Sequence, residues 1–124
     1  MYYRNHSSPL FSKSYDLGVE IVKMIKRCPN DWRLSSLYNQ ITKSGTSVGA
    51  NINEAEFAQS PADFASKMSI ALKEANETRY WLHILRDTDC ISSEDFERLK
   101  DECQQVLAML VASLKTVKSG ISNG

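Results

Sequence analysis

Three glutamates, Glu54, Glu74 and Glu77, are the side chains best suited to chemistry in concert, because carboxylates on facing helices can share a divalent cation. The helical di-metal design also requires Glu-x-x-His pairs projecting inward from two helices. The chain has only His6 and His83, and neither stands in that spacing; Tyr80, Trp81 and Leu82 precede His83 and supply no ligand. His83 therefore reads as a surface or half-buried helix residue. No metal and no cofactor is expected, and a metal-binding bundle using the three glutamates is the remote alternative.

Nucleophilic and nucleotide chemistry lack their signatures too. There is no Gly-x-Ser-x-Gly elbow and no Cys/His pairing with an orienting acid. The run Ser44-Gly45-Thr46-Ser47-Val48-Gly49 has glycines and hydroxyls but neither the Gly-Lys-Ser/Thr ending nor the preceding strand of a phosphate loop. Two glycines in mid-helix instead predict a close-packed neighbour or a kink, with backbone contact to a ligand as the lesser alternative, since each costs about 1 kcal/mol relative to alanine. Cys28, Cys90 and Cys103 are odd in number and widely spaced, which fits neither a disulfide framework nor a zinc site. Cys28 and Cys103 fall on apolar helix faces as ordinary small thiols. The expectation is a protein that is not an enzyme and has no small-molecule substrate.

The elements that hold these residues follow from sequence punctuation. Few glycines and prolines occur, and they divide the chain into four long segments, read as helices over residues 9–28, 32–59, 61–88 and 93–118. The first opens with Ser8-Pro9 and carries Leu10, Ser14, Leu17, Ile21, Met24 and Cys28 at helical spacing. The second carries Leu34, Leu37, Ile41, Ser44, Val48, Ile52 and Ala55. Ser60, Pro61 and Asp63 make the clearest start, a capping box with a shorter acid, ahead of Phe64, Met68, Ala71, Ala75, Thr78, Leu82 and Leu85. The fourth has Glu94, Asp95 and Glu97 in its first turn, Lys115 and Lys118 near its end, and a stripe of Phe96, Leu99, Cys103, Val106, Leu110 and Val117. No run alternates as a strand would. Short turns force antiparallel neighbours, so the expected class is all-α, an up-down-up-down four-helix bundle.

A chain of 124 residues supports one such domain, with a flexible head at residues 1–7 and a flexible tail at residues 119–124. No signal peptide and no stretch near the roughly 20 apolar residues of a membrane span is visible, so a cytoplasmic protein without a membrane partner is expected. Basic and acidic residues balance at 15 each, which removes any global pull toward nucleic acid. Any such binding needs a local patch. Lys13, Lys23, Lys26 and Arg27 on the first helix, with Lys43, Lys67 and Lys73, are the candidate donors to RNA or DNA phosphates.

A second stripe runs beside the core. Gln40, Ser47, Asn51 and Glu54 flank the seam of the second helix, and Lys67, Ile70, Glu74, Glu77, Trp81 and Ile84 flank that of the third. A monomeric bundle has no need for Ile70, Trp81 and Ile84 there. The stripe reads either as a polar network fixing helix register or as a subunit interface, and an interface containing such a network is preferred.

With those residues in view, the chain resembles the four-helix bundle proteins encoded in intervening sequences of bacterial 23S ribosomal RNA genes. Gln40 and Ser47-Val48-Gly49-Ala50-Asn51-Ile52-Asn53-Glu54-Ala55 are similar to the family's Gln followed by Ser-Ile-Pro-x-Asn-Ile-Ala-Glu-Gly. Glu74-Ala75-Asn76-Glu77-Thr78-Arg79-Tyr80-Trp81-Leu82 is similar to a Glu-x-x-Glu-Thr-x-x-Trp-Leu version found in one branch, with Phe64 as the preceding aromatic. The chain departs at Gly49, Asn53 and Ala55, where proline, alanine and glycine are usual. The resemblance implies a non-enzymatic bundle with a binding or scaffold role. It also implies a ring-shaped homo-pentamer, as in relatives that include the nucleic-acid-binding accessory protein of diversity-generating retroelements.

Overall fold

The computed structural model describes residues 8–123, with side chains through residue 120; the expected head, residues 1–7, lies outside the described residues. Among the described residues, regular structure is entirely helical: α1 (Pro9–Arg27), one 3-10 turn (Trp32–Leu34), α2 (Ser35–Ala55), α3 (Pro61–Asp87) and α4 (Ser93–Asn123). The helix starts are built by their caps. Ser8 and Ser60 are extended residues before a proline, and their hydroxyls accept from Phe11 N at 3.3 Å and Asp63 N at 3.0 Å. Proline fits the next position because that N–H would have no intrahelical partner. Asp63 returns the favour upstream, accepting from Gln59 N at 3.2 Å, and Ser92 caps α4 by accepting from Asp95 N at 3.0 Å.

Three helix ends differ from the sequence expectation by more than one residue, two on the second helix and one on the fourth. The second helix does not fill residues 32–59. Asp31 caps a 3-10 turn by accepting from Arg33 N at 3.0 Å, and the α-helix begins only at Ser35. After Ala55 the backbone tightens, with Phe57 N donating to Glu54 O and Ala58 N to Ala55 O, and Phe57 is left mostly exposed. α4 departs the other way, continuing to Asn123 instead of stopping at 118 with a tail. Gly120 alone costs about 1 kcal/mol, too little to end a helix. Val117 still packs on the core, and the Thr116 hydroxyl donates to Ala112 O at 3.2 Å. α3 ends without glycine: Asp89 takes a positive φ of 61°, which Asp tolerates, and Cys90 N donates to Leu85 O at 2.9 Å.

The expected stripes form the core. Leu17, Ile21, Met24, Ile41, Val48, Ala71, Ala75, Leu82, Leu85, Leu99, Cys103 and Leu110 are fully buried, while Cys28, Leu34, Leu37, Phe64 and Val117 close it partly buried at the edges. Consecutive helices pack antiparallel, α1 also meets α4, and the diagonal pairs α1/α3 and α2/α4 make no close backbone approach, so the four helices stand as a square. The α1/α4 seam is the sparsest and is bridged by polar pairs: Lys13 Nζ to Gln105 Oε1 (2.7 Å), Arg98 to Glu20 (3.1 Å) and Arg27 to Asp95 (3.2 Å).

The glycines of α2 explain the α1/α2 seam. A Cβ on Gly45 would lie 3.0–3.2 Å from three atoms of buried Ile21, and one on Gly49 would lie 3.4 Å from Ser14 Oγ. Close approach of α1 is thus what offsets their cost in helix propensity.

Candidate interface on the α2/α3 face

Two flanks that periodicity treats separately meet in space. On α2 the glycine side faces α1, so Gln40, Ser47, Asn51 and Glu54 turn toward α3. On α3, His83 and Arg86 reach Phe96 of α4, so Lys67, Ile70, Glu74, Glu77 and Trp81 lie on the α2 side. Two contacts set the register: Lys67 Nζ pairs with Glu54 Oε2 at 3.3 Å, and the Thr78 hydroxyl lies 3.0 Å from Ser44 Oγ in the buried seam beneath. Ser44 donates to Ile41 O at 3.2 Å, and the single Thr78 proton is shared between Ser44 Oγ and Glu74 O at 2.8 Å, so both buried hydroxyls are satisfied.

The surface above that seam is mixed. Ile70 is 39 % exposed, Tyr80 is 58 % exposed, and Trp81 and Ile84 are half-buried. Tyr80 packs edge-on against Trp81 with ring centroids 5.0 Å apart. Sequence reasoning passed over Tyr80; an aromatic directly beside Trp81, just off the flank, was the signal available. The Trp81 Nε1 donor is buried and meets no acceptor. Burial pushes the Glu74 carboxyl above its ordinary range, the neighbouring Glu77 adds to the shift, and Lys73 and Lys43 temper it. Asn51 donates back to Ser47 O at 2.8 Å, a bond within its own helix. The polar network across the face is therefore partial, with one ion pair and one hydroxyl pair bridging the helices.

The expected basic residues are not gathered. Lys13 donates to Gln105, Lys23 sits 3.9 Å from Glu20, Arg27 pairs with Asp95 and Lys67 with Glu54. Lys26, Lys43 and Lys73 are exposed on different helices. The glutamates do not converge as a metal site either, since Glu54 is committed to Lys67, and no group of three His, Cys, Asp or Glu among the described residues could hold an ion. No helix among them is long and apolar enough to cross a membrane.

Comparison with known proteins agrees with this architecture. A crystal structure of a protein of unknown function from the S23 ribosomal protein family of Bacteroides thetaiotaomicron superposes with a TM-score of 0.81 at 43 % identity, covering 86 % of this chain and 98 % of that one. A search of curated proteins finds no match. The family described as 23S rRNA-intervening sequence protein matches residues 7–112, which takes in α1, α2, α3 and most of α4 with the whole α2/α3 face. The chain therefore belongs to the 23S rRNA-intervening sequence protein family.

Proposed function

We propose that this chain is a non-enzymatic, self-associating bundle that serves as a binding or scaffold component, with the α2/α3 face as a contact between copies. The observation that carries the reading is Trp81. Its buried indole N–H has no acceptor, although such donors nearly always find one, and it stands beside protruding Ile70 and Tyr80. A contact there supplies an acceptor and covers apolar surface. The raised Glu74, already partly desolvated, suits the polar portion of such a contact. A ring, with a homo-pentamer as the preferred stoichiometry, is the assembly the family resemblance favours.

Light scattering during size exclusion tests this. A mass several times the 14.0 kDa of one chain is expected. Ile70→Glu with Trp81→Ala, at exposed and half-buried positions, lowers it toward one copy while the helical circular dichroism persists. A wild-type monomer at high micromolar concentration removes the reading.

Association with RNA or DNA is the second reading, favoured by Lys26, whose exposed ammonium has no carboxylate within pairing distance among the described residues and stands one turn from Lys23. An assembly joined through other surfaces would repeat such pairs. A mobility-shift titration with structured RNA and duplex DNA at two salt concentrations tests it, and no shift at low salt removes it.

A further inference from the structure

The side of the bundle next to the proposed contact carries a second unpartnered surface of opposite character. Between α1 and α2 lies an open trough of about 520 Å³. Its floor is Gly18 and Gly49, where the two backbones run too close for side chains to fill the space. Its walls are Val19 and Val22 of α1 and Ala50 of α2, and Val22 is 37 % exposed. The charged groups lining it are Lys23 and Lys26, both cationic, and the nearest carboxylate to Lys23 is Glu20 at 3.9 Å.

Around the shared helix α2, the α2/α3 face offers the complement. It is a ridge rather than a trough, with Ile70 protruding, Trp81 beside it, and the adjacent carboxylates of Glu74 and Glu77 between them. We infer that the α1/α2 trough is the socket for the Ile70–Trp81 ridge of a second copy of this chain, with Lys23 and Lys26 meeting Glu74 and Glu77. This rests on the self-association proposed above and names the surface that the α2/α3 face contacts.

Charge and symmetry both select this pairing. An α2/α3 face meeting itself across a two-fold axis near Glu74 and Glu77 gathers four carboxylates with only the Lys43 and Lys73 already beside them as offset, whereas the trough brings two further cations to each carboxylate pair. Ridge and trough are different patches, so the contact is head-to-tail and repeats from copy to copy. They occupy adjacent sides of a square bundle, whose outward directions stand roughly 90° apart, and each added copy therefore turns by a similar angle.

Charge reversal separates the alternatives. Lys23→Glu with Lys26→Glu reverses the socket, and Glu74→Lys with Glu77→Lys reverses the ridge; all four positions are exposed or half-exposed, and circular dichroism reports whether the fold is kept. Sedimentation velocity is expected to show association of each variant alone weakened about tenfold or more. A single variant carrying all four reversals is expected to regain it, because every socket then meets a ridge of opposite sign whatever the number of copies in the ring. If the wild type associates and the Lys23→Glu, Lys26→Glu variant associates equally well, the trough is not the socket and belongs to another occupant, while self-association stands. If both variants fall apart but the fourfold variant, still folded, does not recover, the direct pairing is refuted. A monomeric wild type overturns the earlier reading and this one with it.

Discussion

Gly45→Ala is the sharpest probe of how α1 and α2 are joined. In an open helix the substitution stabilises by about 1 kcal/mol, because alanine loses less backbone entropy and shields the helix. Here the new methyl would stand 3.0 Å from Ile21 Cγ2, 3.1 Å from its Cγ1 and 3.2 Å from its Cβ. Ile21 is fully buried, and its Cβ moves only with the backbone of α1. Overpacking of this kind costs about 1–3 kcal/mol, so Gly45→Ala is expected to destabilise by up to about 2 kcal/mol net. Gly18 provides the control. Its added Cβ meets Gly45 O at 3.5 Å and Thr46 Cα at 3.7 Å, ordinary contacts, so Gly18→Ala should keep most of the propensity gain. Urea unfolding of both variants gives the comparison. A double-mutant cycle with Ile21→Ala localises the cause: removing Ile21 should cost less in the Gly45→Ala background, by about 1 kcal/mol or more. If Gly45→Ala stabilises as much as Gly18→Ala, or the cycle shows no coupling, the close approach at Ile21 is not what makes glycine necessary there.

Three further expectations follow from single groups. Burial raises the Cys103 thiol from its ordinary 9.0 to about 11; the native chain holds that proton where the unfolded chain releases it, so stability should fall as pH rises from about 9 to about 11. Cys103→Ala, whatever its effect on the midpoint, should flatten that part of a urea midpoint against pH curve. Glu102 is raised by burial, with Arg98 opposing, and its Oε2 is buried without a partner, so the native chain holds that proton more tightly than the unfolded chain does. Its favourable contribution is present in acid and lost as pH rises through the raised value; Glu102→Gln should therefore be more stable than wild type at neutral pH and converge with it in acid, and a gap independent of pH would contradict this. Ser60→Ala removes the cap on Asp63 N and should lower stability by about 1 kcal/mol in thermal or urea unfolding, whereas Ser60→Asp, which can still accept that bond, should not.

What the amino-acid sequence determined by itself was local. The class, the four stripes and the start of α3 at Ser60-Pro61 depend on properties of one segment at a time: the 3.6-residue period, caps, and proline at a position that needs no donor. Ends without such chemistry were less legible. Phe57, just past the end of α2, is left mostly exposed, while Val117, shortly before Gly120 in α4, packs on the core, and neither environment is visible from its own segment. The candidate site was half legible in the same sense. Periodicity placed Glu54 on one flank of α2 and Lys67 on one flank of α3, but only the packed square turned those flanks toward each other, 3.3 Å apart. It also scattered Lys13, Arg27 and Lys67 onto three separate partners, where sequence could only count them as basic residues. The trough beside Val22 had no sequence signal of its own. It exists because Gly18 and Gly49, 31 positions apart, remove side chains from one seam, and which residues share a seam is decided by long-range packing.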